Sequence, residues 1–281
     1  MNLLQLNKFG KLHNGKTIIF CKTDLLRQEF KRIARLKNEI VLISGNSDAP
    51  VDAGLVNAMP DNILTWYAQN LLVFHERLRP LPIGLENTMP NPRKGHGVGW
   101  PHALEKIEIL SKLKENDQVV PDKLIYANFN IDTNPAIRGP VKILCDDQDF
   151  ITCQDPSLSY DKFIENVLKH EATVCPAGNG IDTHRLYEVL YCNRVAITIK
   201  ATSSPLYDEL YGKLPVVILD TPDSLTDKVL MQKLIAEAKT KINALHLLDF
   251  DYWETQILND ANTIRTKPGF WQHFRRNSQT L

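Results

Sequence analysis

Short apolar runs alternate with amphipathic segments along most of the chain, which is the pattern of an α/β fold. Glu39–Ser44 is an apolar run suited to a buried parallel strand, and a polar turn follows it. Leu25–Leu36 carries apolar residues at helical spacing opposite lysine and arginine, so it predicts an amphipathic helix. The other predicted strands are Thr17–Thr23, Ile63–Ala68, Leu78–Ile83, Leu124–Asn128, Phe150–Gln154, Thr173–Pro176, Val195–Ile199 and Pro215–Leu219. The other predicted helices are Ala103–Leu113, Tyr160–His170, Thr183–Cys192, Leu225–Asn243 and a segment from Tyr252 onward.

A polar segment, Lys114–Asp117, separates two such series and predicts two domains of similar size. The predicted domains are residues 1–118 and 119–281, with the last helix, about 252–281, packing back on the first domain. Two α/β domains imply a cleft between them. Ligands of open α/β sheets bind beyond the carboxyl ends of the strands, so functional residues are expected just after predicted strands.

Composition excludes several classes of protein. The 281 residues include 33 basic and 33 acidic side chains, so no basic excess favours nucleic-acid binding. No apolar run approaches the roughly 18–20 residues of a membrane span, and the N-terminus lacks the apolar core of a signal peptide. The five cysteines are scattered and never spaced as Cys-x-x-Cys, which favours a reducing compartment. We therefore expect a cytoplasmic protein without a membrane span.

The densest cluster of candidate residues lies between a predicted strand and a predicted helix. Glycines in a strand-to-helix turn, here Gly178-Asn179-Gly180, let backbone N–H groups approach a phosphate, which the helix N-terminus also favours. Asp182 or Thr183 would cap the helix. Arg185 would bind the anion, and Glu188, on the same helix face, would accept hydrogen bonds from a sugar hydroxyl; His184 belongs to the same run. The alternative is an ordinary capped helix in which Arg185 and Glu188 pair with each other.

The run Cys175–Glu188 resembles the signature Gly-x-Gly-x-Asp-x-x-Arg-x-x-Glu of exostosin-like glycosyltransferases, family 47 and its bacterial and viral relatives. Further segments resemble landmarks of this family in the right order over about residues 15–250. They are Gly45–Asp48, Trp66–Asn70, Leu81–Asn87, Asn128–Asn130, Thr133–Pro135 with Arg138, Ser203–Tyr207 and Leu214–Val217. The ordered set is more specific than any one motif.

The resemblance implies an α/β protein of the GT-B fold, two Rossmann-like domains facing each other across a cleft. It further implies an inverting transferase whose partners are a nucleotide sugar, held mainly by the second domain, and a glycan acceptor on the side of the first. The donor-binding residues that it implies are Asn128, Arg138, Gly178, Asn179, Gly180, Asp182, Thr183, His184, Arg185, Glu188, Ser203 and Ser204.

No cofactor and no metal is expected, because a GT-B site would stabilise the departing diphosphate with fixed dipoles and cations. Two Asp-x-Asp segments, Asp147–Asp149 and Asp249–Asp251, match the metal motif of other transferases. Such a short spacing arises readily by chance, so these matches are weak evidence for a metal.

Inversion by direct displacement requires a base for the acceptor hydroxyl, and it is expected from the first domain. Asp48, which follows the strand Glu39–Ser44, is the first candidate, with an Asx turn before Pro50 as the structural alternative. Glu86 is the second candidate and His75 the third.

The donor sugar is not readable from the residues. The compact chain resembles the versions that large DNA viruses of algae encode, and this resemblance favours xylose from UDP-xylose. UDP-glucuronate, UDP-galactose and GDP-fucose stay open as donors. Two other functions also stay open: a non-catalytic nucleotide- or glycan-binding module, and a phosphorylase or sugar-phosphate epimerase of the same architecture.

Overall fold

The computed structural model describes residues 2–88, 99–113 and 119–264. Its core is built from two parallel sheets, one of four strands and one of five. The expected domain boundary near residue 118 and the part of the last predicted helix after residue 264 lie outside the described residues.

The first unit is a parallel sheet whose strands follow one another in chain order. Its second strand is buried along its whole length, as its apolar sequence predicts. Helix α1 buries Leu26, Phe30 and Ile33 against this sheet. The elements of this unit are β1 (Ile18–Lys22), α1 (Leu26–Ile33), β2 (Ile40–Gly45), α2 (Ala53–Val56), β3 (Ile63–Ala68), β4 (Leu78–Pro80) and α3 (Ala103–Leu113).

The second unit is a five-stranded parallel sheet in the order β6-β5-β7-β8-β9. The order reverses between β5 and β7, and the carboxyl ends of such strands form the binding crevice of doubly wound sheets. Its elements are β5 (Lys123–Ala127), α4 (Pro135–Asp146), β6 (Ile151–Cys153), α5 (Tyr160–Lys169), β7 (His170–Val174), α6 (His184–Tyr191), β8 (Val195–Ile199), β9 (Val216–Leu219) and α7 (Lys228–Lys239).

Several elements differ from the sequence-based expectation: β4 ends at Pro80 instead of Ile83, the short helix α2 was not predicted, and α7 is shorter at both ends. Helix α4 and strand β7 matter most for the cleft. Helix α4 was not predicted, because Pro135, Gly139 and Pro140 discourage a helix; Pro135 is tolerated in the first turn. Strand β7 begins at His170 and ends at Val174, ahead of the predicted Thr173–Pro176, since Pro176 has no N–H to donate to a ladder. The strand therefore ends two residues earlier and the turn after it is longer.

The end of the described chain returns to the first unit. Helix α8 (Phe250–Asn262) follows an antiparallel bridge between Leu3 and Asp249. The Tyr67 hydroxyl on β3 donates to Asp260 Oδ2 at 2.8 Å, and the ring centroids of Phe9 and Phe250 lie 4.8 Å apart. Helix α8 thus packs against the sheet of the first unit.

The two units share one apolar core. A single cluster of buried residues includes Leu4, Tyr67 and Leu81 of the first unit together with Phe163 and Leu186 of the second. Separate clusters fill the outer side of each sheet. The contact between the units is therefore part of the hydrophobic core.

A buried carboxylate also joins the units. Asp182 Oδ2 accepts hydrogen bonds from the Ile83 N–H at 2.7 Å and the Tyr187 hydroxyl at 3.1 Å, and Oδ1 accepts from the Tyr211 hydroxyl at 2.5 Å. Its own N–H donates to Asn70 Oδ1 at 3.0 Å. Burial raises the pKa of Asp182 to about 6, although these hydrogen bonds oppose the shift.

The raised pKa makes the stability of the protein dependent on pH. The folded state holds the Asp182 proton more tightly than the unfolded chain, so this group stabilises the fold below about pH 4 and the contribution is lost as pH rises to about 6. We expect the unfolding free energy of the wild type, relative to Asp182→Asn, to fall by on the order of 3 kcal/mol between pH 4 and pH 7. Urea unfolding of both proteins across this range measures the difference.

Asp61→Asn, at an exposed position, is the matched control and should unfold in parallel with the wild type at every pH. If the difference in unfolding free energy between the wild type and Asp182→Asn is the same at every pH from 4 to 7, the Asp182 carboxyl does not titrate in that range.

Candidate functional site

A cleft of about 1100 Å³ lies between the two units. Side chains from both units line it, and its floor is formed where β5 and β7 end. Of the predicted site residues, those that line the cleft are Asp48, Glu86, Arg138, Gly178, Asn179, Gly180, Asp182, Thr183, His184, Arg185 and Glu188. The other four, His75, Asn128, Ser203 and Ser204, do not line it.

The Gly178–Gly180 turn connects β7 to helix α6. The Gly178 N–H donates to the Gly180 carbonyl at 3.0 Å, which closes the turn. Thr183 stands at the N-cap of α6 without a side-chain hydrogen bond, and Asp182 points into the junction between the units. The first turn of α6 therefore faces the cleft with the partial positive charge of a helix N-terminus.

Gly180 is required by packing between the units. A Cβ atom at this position would lie 2.6 Å from Asn70 Nδ2 and 2.9 Å from Asn70 Oδ1. The Asn70 amide cannot move freely, because it donates to the Ser47 carbonyl at 3.2 Å and accepts the Asp182 N–H at 3.0 Å. The sequence favours a phosphate role for this glycine, whereas the structure gives it close contact with the first unit.

We expect Gly180→Ala to lower the unfolding free energy by about 1–3 kcal/mol, because the methyl group forces the Asn70 amide from its position. Chemical denaturation measures the change. Gly139→Ala in helix α4 is the control: a Cβ there meets nothing within 4 Å, and alanine in a helix should be neutral or stabilising by up to about 1 kcal/mol. Equal effects of the two substitutions would contradict the packing role of Gly180.

Arg138 reaches the cleft floor from helix α4. Its Nε donates to the Ala177 carbonyl at 3.0 Å, Nη1 to the Asn130 carbonyl at 2.8 Å and Nη2 to the Pro176 carbonyl at 3.3 Å. The residue is 9% exposed, and burial, with the nearby Arg185, lowers its pKa. In the described part of the chain no carboxylate pairs with this guanidinium, so a buried positive charge lies at the floor.

Arg185, in the first turn of α6, lies beside this charge. Its Nη1 is 3.3 Å from both the carbonyl and the side-chain oxygen of Asn128, and its guanidinium carbon lies 3.7 Å from the Phe163 ring centroid. Its Nε is 3.3 Å from Glu188 Oε2. Asn128, predicted to contact the donor, does not line the cleft and accepts these hydrogen bonds from Arg185.

A chain of charged groups crosses the cleft. Lys106 Nζ lies 2.9 Å from Glu86 Oε2 of the first unit and 3.4 Å from Glu188 Oε1 of the second. His102 Nε2 is 3.1 Å from the same Glu86 oxygen. The Glu188 side chain is only 3% exposed, so Lys106 and Arg185 balance a buried charge. Glu86 is thus ion-paired with Lys106.

Sequence reasoning did not assign Lys106 a role. The helix spacing of Ala103, Lys106 and Leu110 places the lysine on the same face as two buried residues. A lysine on the apolar face of a predicted helix is the sequence feature from which a role for Lys106 can be predicted.

Asp48 stands at the mouth of the cleft, exposed, just after β2. Its Oδ2 accepts a hydrogen bond of 3.3 Å from the amide of Asn179, across the cleft. It lines both the cleft and a side cavity of about 370 Å³ in the first unit. The predicted acceptor side of the molecule is therefore adjacent to the predicted donor side.

Ser203 and Ser204, predicted to bind the donor, lie outside the lining of the cleft. They line a separate cavity of about 380 Å³. The Ser204 hydroxyl donates to the Leu71 carbonyl and accepts the Leu206 N–H at 3.1 Å. Ser204 therefore links the second unit to the first instead of facing the cleft.

The two Asp-x-Asp segments lie outside the lining of the cleft. Asp249 caps helix α8 by accepting the Asp251 N–H at 3.2 Å, and Asp147 follows the end of α4. Among residues 2–88, 99–113 and 119–264, no three histidine, cysteine or acidic side chains lie together as metal ligands would. Over the same residues, no helix has the length and apolarity needed to cross a bilayer.

Two parallel α/β units that face each other across one cleft form a GT-B-like arrangement, as the sequence resemblance implies. No family model and no curated protein matches the chain. An α1,3-fucosyltransferase structure is 13% identical, with a TM-score of 0.41 over 80% of this chain and 67% of that one. The pneumococcal O-GlcNAc transferase GtfA, in complex with UDP and GlcNAc, is 10% identical, with a TM-score of 0.37 over 91% and 59%. The wall teichoic acid polymerase TagF is 13% identical, with a TM-score of 0.30 over 92% and 94%.

Proposed function

We propose that the protein is an inverting glycosyltransferase that moves a sugar from a nucleotide donor to a hydroxyl of a glycan acceptor. The observation that carries this proposal is the pair of guanidinium groups, Arg138 and Arg185, at the reversal point of the second sheet. A buried cation without a carboxylate partner in the described chain is costly unless an anion binds beside it. A diphosphate is an anion of suitable charge and size for this place.

In this proposal the diphosphate lies against the Gly178–Gly180 turn and the first turn of α6. The helix N-terminus and Arg185 face the developing negative charge, and Arg138 keeps the turn in position through its three carbonyl contacts. When the sugar leaves, the electron pair of the broken bond goes to the diphosphate oxygen. Fixed positive groups lower the energy of that charge in the transition state.

Glu188 is proposed to bind the ribose of the donor. Its carboxylate lines the cleft one helical turn beyond Arg185 and is held in position by contacts with Arg185 and Lys106. A carboxylate accepts hydrogen bonds from two vicinal hydroxyls readily. The same contacts make Lys106 a positioning residue for Glu188.

The donor sugar is proposed to be xylose from UDP-xylose, on the family resemblance alone, and the acceptor to be a glycan. The identity of the base stays a prediction: Asp48 first, Glu86 second. The surroundings favour Asp48 over Glu86, since Glu86 is ion-paired with Lys106. A nucleotide-binding module without catalysis would show donor binding but no release of nucleotide.

We expect Arg185→Ala to weaken UDP binding about 10- to 100-fold, since it removes a charge-assisted contact of about 1.5–3 kcal/mol. Glu188→Gln, which keeps the size of the buried side chain, should weaken binding less. Isothermal calorimetry with UDP measures both. Arg35→Ala, at an exposed position outside the cleft, should bind UDP like the wild type. Unchanged affinity in both cleft variants would place the donor elsewhere.

Sugar transfer should persist in excess EDTA, because in this proposal arginine side chains and the helix N-terminus supply the positive charge. The measurement is release of UDP from UDP-sugars with and without the chelator. Complete loss of activity that Mn²⁺ restores would instead indicate a metal-dependent transfer, for which Asp147–Asp149 and Asp249–Asp251 are the candidate ligands.

A further inference from the structure

The cleft and the side cavity of the first unit meet at a small group of shared residues. Asp48, Ile83, Trp100 and His184 line both spaces. His184 comes from the second unit and the other three from the first. If the donor occupies the cleft and the acceptor the side cavity, the reacting hydroxyl must pass this junction.

The side cavity has walls suited to a polyhydroxylated ligand. Its lining includes amide and carboxylate side chains, and the exposed Trp100 ring offers a flat apolar surface at its edge. Carboxylates and a flat apolar ring together suit a sugar, which offers both hydroxyl groups and an apolar ring face.

The hydrogen bonding of His184 defines its chemistry. Its Nδ1 lies 2.8 Å from the Gly84 carbonyl oxygen. Because a carbonyl only accepts hydrogen bonds, Nδ1 must carry the proton. In the neutral ring Nε2 then has the free lone pair and can receive a proton.

The Gly84 carbonyl is held firmly by the N-terminal segment. Gly84 adopts a left-handed conformation with φ +66°, and a Cβ atom there would lie 2.4 Å from the Leu4 carbonyl oxygen. It forms an antiparallel bridge with Gln5, and the Leu85 N–H donates to the Leu4 carbonyl at 2.8 Å. The carbonyl that selects the His184 tautomer therefore has little freedom to turn away.

The carboxylates near this junction are less suited to take a proton. Glu86 is held by Lys106 and His102, and Asp48 is exposed and accepts a hydrogen bond from Asn179. Imidazole is also a stronger base than a carboxylate in water.

We propose that His184 Nε2, in place of Asp48 or Glu86, takes the proton of the acceptor hydroxyl; this inference rests on the proposed function. The acceptor oxygen forms a bond to the anomeric carbon as the bond from that carbon to the diphosphate oxygen breaks, with its electron pair going to the diphosphate. The hydroxyl proton moves to Nε2, and the resulting imidazolium releases it to water before the next turnover. Asp48 holds a neighbouring hydroxyl of the acceptor.

His184→Asn tests this proposal directly. The asparagine amide keeps an N–H donor for the Gly84 carbonyl but has no group in place of Nε2. The assay is UDP or GDP release from UDP-xylose, UDP-glucuronate, UDP-galactose and GDP-fucose, with methyl glycosides as acceptors. We expect turnover to fall about 10²- to 10⁴-fold while UDP affinity by calorimetry stays within about threefold of the wild type. In His184→Ala, added imidazole should restore part of the lost turnover.

His246→Asn is the matched control, because the His246 ring also holds Nδ1 against a backbone carbonyl oxygen, that of Asn243, but borders neither space, and this variant should leave turnover unchanged. The proposal is overturned if His184→Asn keeps turnover within tenfold of the wild type, or loses UDP affinity and turnover together. In the first case, a large loss in Asp48→Asn would assign the proton to Asp48. A wild type that binds UDP yet releases no nucleotide from any donor would overturn the proposed function itself, and this inference with it.

Discussion

The placement of one buried carboxyl group, Asp182, determines how the two units meet. It follows the glycine turn of the second unit, yet it accepts the N–H of Ile83 from the first. A carboxyl removed from water needs donors, and here a backbone amide and two tyrosine hydroxyls supply them. Helix α6 begins two residues later, so the group that joins the units also fixes where this helix faces the cleft.

At the cleft floor, too, one buried side chain, Arg138, makes several of the contacts that hold the structure together. The end of β7 and the turn after it expose carbonyl groups without ladder partners, and Arg138 satisfies two of them, at Pro176 and Ala177. The guanidinium thus completes the backbone hydrogen bonding of the strand ends and places a positive charge at the same point. A substitution of Arg138 would therefore remove both the backbone hydrogen bonds and the positive charge of the cleft floor, because the same side chain supplies both.

Apolar periodicity in the sequence was enough to predict most of the strands, since parallel strands buried on both faces read as short continuous runs. β3 and β8 have the predicted bounds, and the glycine turn before α6 was recognised from its residues. Helix α4 was missed because its prolines and glycine oppose helix formation locally, and packing overrides that preference. Contacts that depend on distant segments, such as Lys106 with Glu86 and Glu188, leave no local pattern that reveals their partner.

The shared apolar core has a consequence for how ligands enter. Separating the units by a hinge would expose residues such as Leu186 and Tyr67 to water, at about 25 cal/mol for each Å² of apolar surface. A wide swing of one unit against the other is therefore strongly opposed. The walls of the cleft are therefore already ordered in the folded protein, so ligand binding does not have to order them. The contact between Asn179 and Asp48 across the mouth joins exposed side chains of the two units, so it can change by side-chain rotation while the apolar core between the units stays closed.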